Sequence, residues 1–372
     1  MRVTDLRVHT LAAELPAPMR SRGSPGYREY FHTGSERQRI TAVELLTDTG
    51  RTGITLLGGD ARGFLDAVAR PALAGIDPAA VRRARAGLLQ GLRAAPDALQ
   101  RAGAGHVNRL EFALWDLKAQ EAGLPLFRLL GGADPEVDVY AGGGSLCWNP
   151  LPLLLEETDR LLERGFRALK IKIGHGPTED RELVRAIRRR CGPEVRLMVD
   201  ANRAYDLAGA LALCEELEAQ EIAWFEEPFV YEEPQVWRAL RERTAVPLAG
   251  GEGFHRLAEA AEALREGIVG LLQCDAGAFG LVELLAIGAI AHERGVRLTP
   301  HSCNNAIGFL ASCHLQRALP NGSMQEYETF DNPFVHSMLD GIPEVREGKL
   351  RLTERPGLGV TLNPETLARY RA

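Results

Sequence analysis

One pattern constrains this chain more than any other. From about residue 135, short apolar runs alternate with amphipathic stretches, one pair roughly every 25–30 residues. The runs begin near Val137 (VDVYAGG), Arg167 (RALKIKIG), Val195 (VRLMVDAN), Ile222 (IAWFEEP), Val246 (VPLAGGE), Gly270 (GLLQCDA), Val296 (VRLTPH) and Ser323 (SMQEYE). Between them lie stretches such as PLLLEETDRLLERGF, DRELVRAIRRRCG, LAGALALCEELEAQ and LAEAAEALREG. Strand followed by helix, repeated in this way, marks parallel βα units, because parallel neighbours need a crossover long enough to be a helix. Eight strands in succession predict an α/β protein built as a closed (β/α)8-type barrel. An open doubly wound sheet is the alternative.

The flanks read differently. Residues 1–60 alternate apolar and polar in RVTDLRVHTL and ITAVELLTDTGRTGITLL, as antiparallel strands with one buried face do. Between them RSRGSPGYREYFHTGSERQ is polar, Gly-rich and too long for a hairpin turn, which suits a mobile loop. From 61 to 125 the period becomes helical and stops at Gly-Leu-Pro. After about 345 the strand–helix rhythm breaks, and the tail is expected to return to the N-terminal unit.

Composition narrows the class without naming a reaction. The 372 residues allow two or three domains. The charge sum, 44 − 50 = −6, gives no footing for nucleic acid or an anionic membrane. MRVTDLRVHTLAAELPAP lacks an apolar signal core, and no run approaches 18 uninterrupted apolar residues, so no membrane span is expected. Six dispersed cysteines without a CxxC pair suit free thiols in a reducing cytoplasm; Cys303 alone falls near the candidate site.

The strand ends carry the chemistry. Lys170 and Lys172 are two residues apart, so both leave one face of their strand while Leu169, Ile171 and Ile173 take the helix-facing side. Two ammonium groups inside a barrel need anionic partners. Asp200, Glu226 and Glu252 supply them, 26 residues apart at the C-terminal ends of the next three strands, where barrel active sites lie. Three converging carboxylates repel unless they hold a divalent cation, and hard oxygen ligands favour Mg²⁺. Asp275, His301 and Glu326 continue the series on strands six, seven and eight. An Asp beside a His orients the imidazole and raises its basicity.

Together these residues resemble the enolase superfamily, mandelate racemase subgroup. The segment FALWDLKAQEAGLPLFRLLGG is similar to that family's junction between cap and barrel. The resemblance covers nearly the whole chain. It implies an α+β N-terminal capping domain, residues 1–125 with 345–372 returning to it, over a (β/α)7β TIM-like barrel of residues 126–344. It implies Lys172 and His301 as bases on opposite faces of a carboxylate substrate, with Asp275 orienting His301. Lys170 would touch the substrate carboxylate and help depress the pKa of Lys172, and Glu326 would hydrogen-bond the other carboxylate oxygen. Asp200, Glu226 and Glu252 would ligate Mg²⁺, with Asn202 contacting nearby substrate oxygens.

Such a site removes the proton α to a carboxylate through an enediolate. Dehydration of a mono- or diacid sugar to a 2-keto-3-deoxy product is the expected outcome; racemisation, epimerisation or lactone cycloisomerisation from the same intermediate stays open. Asp275 stands where muconate-cycloisomerase-like members carry a Lys, and Glu252 where glucarate-dehydratase-like members carry an Asn, so both subgroups are disfavoured. Specificity candidates are Arg20, Arg22, Tyr27, Tyr30 and His32 in the long loop, with Trp148 and Arg203 at the mouth. A Schiff-base aldolase using Lys170 or Lys172, and a barrel that only binds acid sugars, are the competing readings. The expected partners are a small-molecule carboxylate and further copies of the chain, as a dimer or octamer.

Overall fold

The computed structural model describes residues 1–14, 37–147, 149–302 and 305–372. Strands β1 (Val3–Glu14), β2 (Arg37–Thr47) and β3 (Thr52–Gly58) form an antiparallel meander in that order. The face with Val43, Leu45 and Leu57 is buried against helix α2 (Asp97–Ala122), and α1 (Val81–Ala94) packs on α2. At Gly53 a Cβ would overlap the Ala113 carbonyl of α2, so only glycine lets helix and strand approach this closely. Helix α2 ends on left-handed Gly123 at φ 69°, with Pro125 two residues on, as the Gly-Leu-Pro stop predicts.

The barrel strands are β4 (Glu136–Ala141), β5 (Ala168–Lys172), β6 (Arg196–Asp200), β7 (Phe225–Glu226), β8 (Leu248–Gly250), β9 (Leu271–Leu272), β10 (Arg297–Leu298) and β11 (Gln325–Tyr327). Neighbours pair in parallel from β4 to β10, and β11 pairs in parallel with β4. A bridge from Leu298 to Gly322 joins β10 to the approach to β11. The sheet therefore closes, which removes the open doubly wound alternative. Seven helices connect the eight strands: α3 (Leu151–Glu163), α4 (Pro177–Cys191), α5 (Leu207–Ala219), α6 (Pro234–Arg241), α7 (Leu257–Glu266), α8 (Ala276–Glu293) and α9 (Ala306–Ala318). This is the (β/α)7β arrangement. Inside it Tyr140, Ala168, Met198, Trp224, Ala249, Leu271 and Met324 form a separate apolar layer. That layer is the floor of the site.

Two contacts tie the parts together. Asp116 of α2 is buried and accepts backbone N–H bonds from Ile54 (3.3 Å) in β3 and Leu358 (2.9 Å) in the tail. Farther along the tail, Ala12 N–H donates to the Tyr370 carbonyl at 2.8 Å, while Lys349–Arg351 pairs antiparallel with β4. The second contact joins α2 to α8. Asn108 donates to the Ala278 carbonyl, and Glu111 accepts the Val282 N–H at 3.0 Å. Arg85 of α1 bridges Glu111 and Glu283, each at 2.5 Å. Helix α8 is long and apolar enough to cross a membrane, but half of it is buried against α2, α7 and α9. A helix covered on two sides needs no polar face.

Candidate active site

The two-residue period of β5 sets the site. All five residues of β5 are buried, with Lys170 and Lys172 turned into the barrel above Ala168. The same step places Asp200 above Met198, Glu226 above Trp224 and Glu326 above Met324. The register then makes Lys172 face Asp200 on the next strand, and Asp200 face Glu226 on the one after.

The charges pair closely. Lys170 Nζ lies 2.9 Å from Glu226, 2.9 Å from Glu326 and 3.4 Å from Asp200, with the Tyr140 ring centroid at 5.6 Å. Lys172 Nζ donates to Asp200 at 2.5 Å and to Asn202 Oδ1 at 2.9 Å. Burial works against the charge of Lys170, but Glu226 and Glu326 outweigh it and hold the ammonium well above its usual range. Burial likewise works against the Asp200 carboxylate, but Lys172 and Lys170 drive it well below the ordinary carboxylate range. Glu226 goes the other way. Burial raises it, and the nearby Asp200, Glu326 and Glu252 charges add to the rise despite Lys170.

On the opposite wall, His301 Nδ1 lies 2.9 Å from Asp275 Oδ2, across a parallel bridge between the two residues. Its Nε2 turns inward, 3.6 Å from both Glu252 and Glu326. Burial disfavours the imidazolium, yet the Glu252 charge, the Asp275 bond and the Glu326 charge raise it to about 10. Asp275 also caps α8, accepting the Ala278 N–H at 2.8 Å. Among the described residues, Glu326 Oε2, Asn202 Nδ2 and Gln273 Oε1 are buried polar atoms of the site with no hydrogen-bond partner. Left-handed backbone at Asn202 (φ 43°), Arg203 (φ 67°) and Glu227 (φ 40°) clusters at this rim. Non-glycine residues are held there only where the surroundings dictate it.

Thus Lys170, Lys172, Asp200, Asn202, Glu226, Glu252, Asp275, His301 and Glu326 come together in one mouth. Arg203 reaches the rim, but its guanidinium is forked onto Glu227 at 3.0 and 2.8 Å. Arg20, Arg22, Tyr27, Tyr30, His32, Trp148 and Cys303 lie outside the described residues.

Several contributors do not stand out in the sequence. Gln273 and Trp224 both donate to Glu226 Oε2, at 2.7 and 3.2 Å. Each lies two residues before a recognised site residue, and that period was the available signal. Glu227 is buried between Arg203 and Tyr231, and burial with the Glu252 charge raises it to about 7. Arg101 and Arg109 of α2 also line the mouth. No local pattern reveals them, because they arrive from the other end of the chain.

Known proteins share this architecture over the whole length. The family model for the enolase C-terminal domain-like fold matches residues 153–366. The chain belongs to the enolase superfamily. The N-terminal domain of the mandelate racemase / muconate lactonizing enzyme group matches residues 28–131, which places the chain in the mandelate racemase subgroup. It is 31% identical to a D-galactarolactone cycloisomerase of Agrobacterium fabrum, over 100% of this chain and 99% of that one. It is also 31% identical to an arabinonate dehydratase of Saccharolobus solfataricus, over 71% and 72% of the two chains. Among solved structures, the L-talarate dehydratase from Polaromonas sp. JS666, complexed with Mg and L-glucarate, is 28% identical. It superposes with a TM-score of 0.85 over 100% of this chain and 98% of that one. These enolase superfamily relatives include both dehydratases and a cycloisomerase.

Proposed function

We propose that this enzyme abstracts the proton α to the carboxylate of an acid sugar, forms an enediolate and expels the β-hydroxyl to give a 2-keto-3-deoxy acid. The observation that carries the reading is the pairing of two candidate bases across one buried mouth, Lys172 on β5 and His301 after β10, with acids between them. Asp200, Glu226 and Glu252 are hard oxygen donors on adjacent strand ends, and burial first, then the charges of the neighbouring acids, raises Glu226. That donor set fits Mg²⁺. As they stand, no three of the described acid, imidazole or thiol groups converge closely enough to hold an ion; Lys170 and Lys172 neutralise Asp200 and Glu226 instead. Mg²⁺ bound by the three acids would supply Lewis-acid stabilisation of charge on the substrate carboxylate.

The chain's own groups would do the rest. Lys170 supplies a fixed positive charge to one carboxylate oxygen of the substrate. Glu326 must carry a proton to donate to the other, and in the substrate-free site Lys170 and His301 hold it ionised against the effect of burial. An incoming carboxylate that takes over Lys170 reverses that balance, because like charges favour the protonated acid. Lys172 then removes the α-proton from one face. His301, kept protonated despite burial by Glu252, Asp275 and Glu326, gives its Nε2 proton to the departing β-hydroxyl, which leaves as water. Asp275 fixes the imidazole so that Nε2 is the reacting atom. Water exclusion and finer selectivity fall to Trp148, Asn202, Arg203 and the loop with Arg20, Tyr30 and His32.

A screen of mono- and diacid sugars with Mg²⁺ in D₂O tests the proposal. A semicarbazide-reactive keto acid is expected, and EDTA should abolish its formation. Solvent deuterium at C2 without keto product would favour the racemase or epimerase outcome. Lactone consumption without net dehydration would favour cycloisomerisation, the activity of the Agrobacterium relative. Turnover that survives EDTA would overturn the carboxylate assignment.

A further inference from the structure

The mouth is asymmetric in charge. A cavity of about 620 Å³ runs from Glu252, Asp275 and His301 to the N-terminal half of α2, where Arg101 and Arg109 line it. Arg203 on the same wall is engaged by Glu227. Arg101 and Arg109 have no carboxylate within ion-pair distance among the described residues.

Arg109 is seated rather than loose. Its backbone carbonyl accepts the Thr55 hydroxyl at 2.6 Å. Its guanidinium lies between two glycines, Gly105 of α2 and Gly277 in the first turn of α8. A Cβ at Gly277 would come within 2.5 Å of Nη2 and 2.6 Å of Cζ, and one at Gly105 within 2.9 Å of Nη1. Glycine inside a helix is a destabilising choice, and here it leaves room for one planar cation at the seam between cap and barrel. The bond and charge of His301, with the Arg109 charge, draw Asp275 down against the effect of burial, so this cation lies within electrostatic reach of the mouth.

We propose that Arg109, assisted by Arg101, binds the second carboxylate of a diacid sugar, the end remote from the carbon that loses its proton. The inference deepens, and rests on, the reading that the mouth enolises a sugar acid. A substrate whose first carboxylate takes Lys170 carries its far end along the cavity. A terminal carboxylate there would face Glu252 and Asp275. Because Glu227 engages Arg203 and Asp275 engages His301, Arg101 and Arg109 are the guanidiniums of the lining left to receive it. A guanidinium fork receives a carboxylate through two parallel hydrogen bonds, whereas a terminal hydroxymethyl group leaves it unpaired. The enzyme should therefore prefer aldaric to aldonic acids.

Matched pairs differing only at the terminal carbon test this: galactarate against galactonate, and glucarate against gluconate, with saturating Mg²⁺. The wild type should favour the diacid of whichever pair it turns over. Arg109→Met should lower kcat/KM for that diacid by about 10²-fold, at least tenfold more than for the monoacid, and chiefly through KM. Arg109→Lys should recover part of the loss, and Arg101→Met should show a smaller version of the same selectivity change. Equal losses on both members of a pair would overturn the proposal, because Arg109 would then act through Asp275 and His301; so would a wild-type preference for the monoacid. Thermal shift by the same four acids separates the subsite from the reaction. If the wild type turns over none of them, the enolisation reading is decided by the wider acid-sugar screen and the subsite by the thermal shift alone. A stabilisation by a diacid that Arg109→Met abolishes would still support the subsite. Absence of any diacid shift, or its persistence in the variant, would overturn it.

Discussion

Replacing Asp275 by Asn isolates one charge without removing its structural duty. Asp275 Oδ1 caps α8 through the Ala278 N–H at 2.8 Å, and Oδ2 faces His301 Nδ1 at 2.9 Å. Asparagine keeps the capping oxygen, so the helix cap should lose less than about 1 kcal/mol. At the imidazole the change is larger. The amide NH₂ that replaces Oδ2 can only donate to Nδ1, which forces the ring proton onto Nε2, the atom facing Glu252 and Glu326. The imidazolium also loses a charge-assisted bond worth about 1.5–3 kcal/mol, so His301 should titrate well below about 10. The ring is then no longer held as an imidazolium for acid work, and its protonated Nε2 cannot serve as a base, so turnover should fall about 10²–10⁴-fold. The assay is kcat/KM together with solvent-deuterium incorporation, measured beside a urea melt. The melt should shift by no more than that lost bond, about 1.5–3 kcal/mol, with the transition still cooperative. Activity within about threefold of wild type would refute the argument that Asp275 sets the tautomer and basicity of His301.

Two further predictions concern the seams. Burial raises Asp116 from 3.8 to about 6, although N–H bonds from Leu358 and Ile54 and a side-chain bond from Gln120 favour its charged form. The native state therefore keeps this proton where the unfolded chain has lost it. The resulting penalty is absent below about pH 4 and grows to about 3 kcal/mol as pH rises through 6. Asp116→Asn should remove that penalty, so denaturation at pH 4.5 and pH 7 should show the variant gaining on wild type at the higher pH; an unchanged difference would count against it. At the kink in α8, Gly280 has φ 70° and a Cβ there would meet the Glu111 carboxylate at 2.9 Å, whereas Gly50 has φ 78° and open space around it. Gly280→Ala should cost about 2–4 kcal/mol and Gly50→Ala about 1 kcal/mol, and equal costs in chemical denaturation would sink the packing argument.

Much of the site was legible in the primary sequence because a parallel barrel brings the C-terminal ends of all its strands to one rim. An acid or base that recurs at strand ends is therefore read as a neighbour of the others before any coordinates exist. The Lys170/Lys172 pair, the Asp200, Glu226 and Glu252 series, and Asp275 with His301 all follow from that rule. Gln273 and Trp224 were within its reach, since each precedes a site residue by one strand period, but an amide and an indole do not announce a role as a repeated carboxylate does.

The tertiary structure alone decided which residues of the cap enter the site. Arg101, Arg109 and Glu111 sit on a helix whose periodicity shows only that one face is buried. Their partners, Gly277 and Val282, lie some 170 residues away in α8, as the separation of Glu111 from Val282 shows. The partner of Arg203 lies one βα unit on: the mouth residue expected to meet substrate is forked onto Glu227 of the next strand end. Local periodicity determined the strands, their inward faces and the rim on which the charges gather, because those depend on backbone geometry repeated every two residues. Closure of the sheet between β11 and β4, the pairing of each lysine with its acid, and the guanidinium seat between cap and barrel depend on contacts between distant segments. Only the folded chain supplies those.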